Sequence, residues 1–323
     1  MIDIANIVQQ FFKEAKWTGE PNTLYDPIDY AMQSGGKRLR PTLVLMAANL
    51  FGGDVGKLLQ PASAMEVFHN FTLLHDDVMD NADVRRGRPT VHKKWDDNTA
   101  ILSGDAMLVR AYQILEQSVE DNMLRPALRL FSQTALEVCE GQQYDADFEQ
   151  AKNDVTLDEY YKMVRLKTGV LLAACLKMGA LLAGADEEDQ QNLYEFGINI
   201  GIAFQVWDDY LDCYGDEKTF GKKIGGDILC GKRSFLLVNA LKDGKSSQVQ
   251  TIKQLLASSK IAGEQKIMTI IGIYTQLGLP ERCKEAMEEY YNKALEYLAK
   301  VKRPEQEKKI FIQFANNLMG RNL

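Results

Sequence analysis

The sequence predicts an all-α protein, and three observations carry that prediction. Apolar residues recur at three- and four-residue spacing: Met107, Leu108, Ala111, Ile114 and Leu115 form one stripe, and Leu295, Leu298 and Val301 another. Strand-like alternation bounded by turn pairs is nearly absent. Of the eight prolines, Pro27, Pro41, Pro61, Pro126, Pro280 and Pro304 sit where helices should begin or stop.

The elements follow in order from the same rules. MIDIANIVQQFFKEAKW alternates acids with apolar residues as an amphipathic helix does, and lacks the basic start and small-residue cleavage site of a secretory signal. Ser103-Gly104-Asp105 reads as the lead-in to a helix, and Thr156 before Asp158 as the cap of another. TGVLLAACLKMGALLAG, residues 168–184, is the most apolar stretch; it carries Lys177 and is shorter than the roughly 20 residues of a membrane span, so it reads as a buried core helix. No linker or low-complexity tract divides the chain. The expectation is one domain, residues 1–323, folded as a single large helical bundle. One long connection breaks the pattern: residues 213–234 carry glycines at 215, 221, 225, 226 and 231, and such a stretch inside a bundle marks function.

Composition narrows the function. With 46% hydrophobic and 26% charged residues the chain is an ordinary globular protein, which excludes disorder and disulfide miniproteins. The net charge of −7 excludes the basic excess of a nucleic-acid binder, so an anionic substrate would need cations concentrated locally. Five scattered cysteines without a CxxC read as core residues in a reducing compartment, and the cytoplasm is the expected location. The three histidines, His69, His75 and His92, have no zinc-site spacing. Gly226 to Lys232 fits GxxxxGK, but Arg233 stands where a P-loop needs Ser or Thr and no strand precedes it.

The chemistry lies in a duplication. LLHDDVMDNADVRRG carries Asp76, Asp77 and Asp80, and FQVWDDYLDCYGDE carries Asp208, Asp209 and Asp212; both read DDxxD after an apolar run. On a helix, residues i and i+4 share a face, so each motif presents two carboxylates in one direction, and like charges so placed need a compensating cation. One such motif is an ordinary solvated helix end. Two copies point to a hard divalent cation of the Mg²⁺ type. Cations cluster at Lys37, Arg38 and Arg40, at Arg85, Arg86 and Arg88, at Lys222 and Lys223, and at Lys232 and Arg233. Together with a divalent metal, such clusters describe sites for two diphosphate groups.

The ordered set GGKRLRP, DDVMD followed by RRG, LKTG at 166–169, FQVWDDYLD and GKKIGGDI resembles the trans-isoprenyl diphosphate synthases, or polyprenyl synthetases, of short-chain type. The resemblance runs from about residue 25 to beyond 240 and implies an all-α bundle with a central active-site cavity, usually a homodimer. It implies head-to-tail condensation of isopentenyl diphosphate with an allylic diphosphate (dimethylallyl, geranyl or farnesyl), with three Mg²⁺ ions per site. Carried over, Asp76, Asp80 and Asp208 would hold the metal, with Asp77, Asp209 and Asp212 beside them. Arg85, Lys167, Lys223 and Lys232 would grip the allylic diphosphate, and Thr168 and Gln205 would flank the cationic centre. Lys37, Arg40, His69 and Arg86 would bind isopentenyl diphosphate without metal.

Product length is expected from the helix beneath the first motif. Phe71 lies about 7.5 Å and Phe68 about 12 Å from Asp76 along the axis, with the small Thr72 between. Two rings so placed read as a shallow floor and favour C15 slightly over C20. A class I terpene cyclase is the enzyme alternative, but it would carry an NSE/DTE-like second motif. A non-catalytic subunit of a heteromeric synthase would have lost aspartates or cations that are all present here.

Overall fold

Helix follows helix with short connections, as the apolar periodicity requires. The computed structural model describes residues 3–150, 154–216, 224–258 and 261–320. The chain divides into two compact units: residues up to Ser132 together with Ala174–Leu193, and Gln133–Ala173 together with Tyr194 onward.

In the first unit lie α1 (Ile4–Glu14), α2 (Asn22–Met32), α3 (Leu39–Leu50), α4 (Leu59–Met79), α5 (Val91–Lys94) and α6 (Asp97–Ser118). α4 and α6 make the most extensive pairing, and α2, α3 and α5 also pack on α4. Four of the five predicted α6 stripe residues, Met107, Ala111, Ile114 and Leu115, are buried, and Leu108 is half-buried at the edge of that face. Ser103-Gly104-Asp105, however, lies inside α6, whose cap is Asp96, accepting from the Thr99 amide at 2.8 Å. A glycine is disfavoured in mid-helix by propensity, but a Cβ at Gly104 would overlap the His75 imidazole of α4, so helix packing requires it. Pro27 likewise lies within α2, and Pro126 within α7 (Asp121–Gln150); each sits in the second turn, where a proline removes one early backbone hydrogen bond.

The second unit contains α8 (Leu157–Val164), a single π turn (Arg165–Gly169), most of α10 (Glu187–Tyr214), α11 (Gly226–Cys230), α12 (Phe235–Asp243), α13 (Ser246–Ala257), α14 (Gly263–Gln276), α15 (Leu279–Lys300) and α16 (Glu305–Leu318). α7 and α9 (Val170–Leu182) are shared between the units. Thr156 caps α8 in a reciprocal capping box with Glu159, as predicted. Of the predicted stripe, Leu298 of α15 and its C-cap Val301 are buried, and Leu295 is half-buried.

Among the described residues, one short segment pairs as strands instead of helix. Val84–Arg85 and Arg88–Pro89 pair as two antiparallel strands, β1 and β2, around a two-residue loop. Both loop residues, Arg86 (φ 54) and Gly87 (φ 74), have positive φ, the geometry of a tight hairpin turn. The stretch is too short to show an alternating pattern. Cys175, Cys213 and Cys283 are buried as expected, whereas Cys139 and Cys230 are exposed; all five are free thiols. Among the described residues no helix is long and apolar enough to cross a membrane.

Candidate active site

The GGKRLRP segment turns back on itself. Gly35 (φ 77), Gly36 (φ 113) and Arg38 (φ 48) all occupy positive φ, and Arg38 is the N-cap of α3. Arg38 is not a free cation: its guanidinium is buried, bonded to Glu66 at 2.8 Å and to the Met32 carbonyl, and lies 4.8 Å over the Phe12 ring. Its neighbours in the motif have a different role. Lys37 is exposed and Arg40 half-buried, and burial pulls the Arg40 guanidinium below its ordinary range against the opposing charge of Glu66. His69 of α4 is buried beside them. Burial first, and then Arg40, Arg86, Arg85 and Arg38, hold its imidazole well below 6.5, so it stays neutral among arginines.

The hairpin divides its arginines. Arg86 donates to the Gly35 carbonyl, and its guanidinium carbon would lie 2.8 Å from a Cβ built at Gly36, so the glycine admits the side chain. Arg85 turns the other way: its Nε donates to Asp77 Oδ1 at 2.8 Å, and a terminal nitrogen lies 3.4 Å from Asp76 Oδ2. Asp77 is buried; burial raises its carboxyl pKa and Arg85 opposes the rise. Asp76 is half-buried and Asp80, the C-cap of α4, is exposed. Lys37, Arg40, His69 and Arg86 thus gather around one loop, while Arg85 stands with the first acidic motif. Beneath that motif Phe68 is fully buried, 5.3 Å edge-on to Phe131, and Phe71 meets the His75 ring at 4.8 Å. The Thr72 hydroxyl, next in the helix, donates to the His69 carbonyl at 2.8 Å.

The second motif, on α10, is built differently. Asp209 is fully buried with both oxygens engaged: Tyr160 OH and the Phe235 amide donate to Oδ2, each at 2.7 Å, and Gln205 Nε2 donates to Oδ1 at 3.0 Å. Burial, with Asp227 next, pushes its pKa up to about 7. Buried Asp212 accepts the Asp227 amide at 3.2 Å on its side chain and the Gly225 amide at 2.7 Å on its carbonyl, which anchors the start of α11. Asp208 is half-buried. Thr168 Oγ1 lies 3.4 Å from Gln205 Oε1, so a hydrogen-bond chain runs from Thr168 through Gln205 to Asp209.

Thr168 and Lys167 owe their place to the π turn, which inserts an extra residue into a helix and commonly marks functional sites. A Cβ at Gly141 of α7 would overlap the Lys167 backbone, and one at Gly201 would lie 2.6 Å from Gly169 Cα, so glycines on both sides let the turn seat. Lys167 pairs with Asp145 at 2.5 Å. Lys232 is half-buried just after α11, its amide bonded to the Asp227 carbonyl at 3.0 Å. Lys222 and Lys223, with the rest of residues 217–223, lie outside the described residues.

The polyprenyl synthetase family description matches residues 21–274. The chain belongs to the polyprenyl synthetase family. It is 39% identical to geranylgeranyl diphosphate synthase of Methanosarcina mazei over 93% of this chain and 90% of that one. It is 38% identical to geranylfarnesyl diphosphate synthase of Natronomonas pharaonis over 74% of each. A crystal structure of a geranylgeranyl pyrophosphate synthase superposes with a TM-score of 0.93 at 43% identity, covering 100% of both chains. This prenyltransferase is therefore a trans-prenyl diphosphate synthase.

The donor chemistry of the synthase fits a divalent metal. Among the described residues no three carboxylate, imidazole or thiol groups converge as a preformed cage would. Mg²⁺ does not need one: it keeps several waters and takes one or two carboxylates plus substrate phosphate oxygens. Asp76 and Asp80, one helical turn apart, and half-buried Asp208 are such carboxylates. Glu66, Asp145 and Asp227 were not legible in the sequence as site residues. Each lies outside the DDxxD motifs, and only the structure places them beside Arg38, Lys167 and Asp209.

Proposed function

We propose that this synthase condenses isopentenyl diphosphate head to tail with allylic diphosphates (dimethylallyl, geranyl and farnesyl) and stops at C20, geranylgeranyl diphosphate. The observation that carries the reaction is the divided hairpin. Adjacent arginines face opposite electrostatic environments: Arg86 the cationic loop with Lys37, Arg40 and neutral His69, and Arg85 the acidic motif. The first suits a diphosphate held by fixed cations alone, the second one held together with metal. One catalytic domain over residues 1–323 is part of the proposal, supported by the family match across residues 21–274.

In this reading Asp76, Asp80 and Asp208 hold Mg²⁺. When bound, it would stabilise the charge that develops on the leaving diphosphate. Arg85 and Lys167 bind the same allylic diphosphate and hold it in place as its C–O bond breaks, without reorganising during the step. Lys223 and Lys232 are assigned to the same group. Arg86, Lys37 and Arg40 orient isopentenyl diphosphate so that its double bond attacks the allylic carbon, and the released diphosphate takes the proton lost at the end. Thr168 and Gln205, aligned by the π turn, face the cationic centre.

The C20 product replaces the C15 expectation. The floor argument measured distance along α4 but not the direction of each ring. Phe68 packs edge-on against Phe131 as part of the core, which leaves Phe71 as the one candidate stop. The C20 and C25 names of the two relatives support the longer chain. A homodimer is part of the proposal, because α6 leaves Leu102 (60% exposed) and Val109 (58% exposed) about two turns apart on one face. So is work in the cytoplasm, with every cysteine a free thiol.

The test is incubation of purified protein with Mg²⁺, isopentenyl diphosphate and each of the C5, C10 and C15 allylic primers, with products weighed by mass spectrometry and a chelator control. A ladder ending at C20 is expected. An end at C15 overturns the product but not the reaction; hydrocarbons from the primers alone would make the chain a cyclase. No consumption overturns the reading.

A further inference from the structure

Arg86 (φ 54) holds a left-handed backbone conformation that non-glycine residues disfavour, so the hairpin needs tertiary support to keep its guanidinium over Gly36. One end of the hairpin has that support in the pairing of Arg85 with Asp77. At the other end, contacts converge on one half-buried side chain of α2. Tyr30 OH donates to the Pro89 carbonyl at 2.9 Å. The Arg88 guanidinium lies 4.1 Å and the Lys94 ammonium 3.9 Å from the Tyr30 ring centroid, and Trp95 meets the ring edge-on at 5.3 Å. α2 ends two residues later and runs directly into Gly35-Gly36-Lys37, while Arg88 also donates to the Gln33 carbonyl at 3.3 Å.

We propose that Tyr30 is a positioning residue for the isopentenyl diphosphate pocket: it pins β2 and α5 to the end of α2 and so sets Arg86 against the loop that carries Lys37 and Arg40. The proposal rests on the functional reading above. It touches no substrate; it acts through the cation–π pair with Arg88 and the hydrogen bond to Pro89. Its effect is one-sided, because Arg85 is held separately by Asp77 whereas Arg86 has no acidic partner on the hairpin.

The experiment compares Tyr30→Leu, Tyr30→Phe, Arg88→Leu and the Tyr30→Leu/Arg88→Leu double variant with wild type. It measures KM for each substrate, kcat, and calorimetric binding of isopentenyl diphosphate without allylic primer. Tyr30→Leu should raise KM for isopentenyl diphosphate about tenfold, with kcat and the allylic KM within about twofold. Tyr30→Phe keeps the ring and loses the hydroxyl, so its rise should be about two- to threefold. Effects of Tyr30→Leu and Arg88→Leu should fall short of additive, since the two share one contact. Equal rises in both KM values, or a lower Tm with both KM values unchanged, overturn the proposal. Wild-type protein that binds no isopentenyl diphosphate overturns the functional reading and the proposal with it. Binding by wild type that is matched by Tyr30→Leu overturns the proposal alone.

Discussion

The two aspartate motifs read alike in sequence and are physically unlike. In the first, charge is balanced by charge: Arg85 reaches both Asp77 and Asp76, and Asp80 stands at an exposed helix end. In the second, the middle aspartate is balanced by hydrogen bonds in a buried setting, from a phenol, an amide side chain and the first amide of α12. The helix start adds a favourable dipole for that carboxylate. Equal motifs therefore do not divide their labour equally. The outer carboxylates suit metal, whereas the middle one in the second motif braces α8, α10 and α12 against each other.

Removing an outer carboxylate from either motif should break activity and spare the fold. Asp76→Ala and Asp208→Ala should each lower kcat about 10³-fold with urea unfolding unchanged, in steady-state assays at saturating Mg²⁺. Normal turnover in either would end the symmetry of function between the motifs. The middle positions should separate instead. Asp209→Ala strands buried Tyr160 OH and the Phe235 amide, so it should lower unfolding free energy by about 3 kcal/mol, against about 1 kcal/mol or less for Asp77→Ala, whose partner Arg85 can turn to water. Equal losses would mean that Asp209 is no brace.

The smallest effect sharpens the contrast in how each region handles charge. His69 is held neutral in the folded state while the unfolded chain protonates it near 6.5. The unfolded state then binds more protons, so stability present above that pH is lost as pH falls, by at most about 1.4 kcal/mol per unit. His69→Gln should melt with a shallower slope between pH 6.5 and 5 than wild type. An unchanged slope would mean that burial among the arginines does not hold His69 neutral.

Much of the fold was legible because helices announce themselves locally. The α6 and α15 stripes and the Thr156 cap follow from spacing and side-chain chemistry within a few residues of each other. What misled was local too. Ser103-Gly104-Asp105 has the composition of a helix start, yet Gly104 is there because His75 of another helix needs the room. Pro27 and Pro126 look like boundaries, but one proline in a second turn is tolerated once packing supplies the rest. Arg38 looks like one more cation of its cluster; Glu66, distant in sequence, turns it inward.

The sequence by itself determined the helical class, the family motifs and the residue types that can bind metal and diphosphate, because these depend on periodicity and on chemistry carried by single side chains. Tertiary structure alone decided which way each charge faces. Arg85 and Arg86 are adjacent in the chain and serve different surroundings, and Asp208 and Asp209 differ in burial although they are neighbours. Burial and partnership come from residues far away in sequence, and it is these that set the protonation and orientation of a charged group.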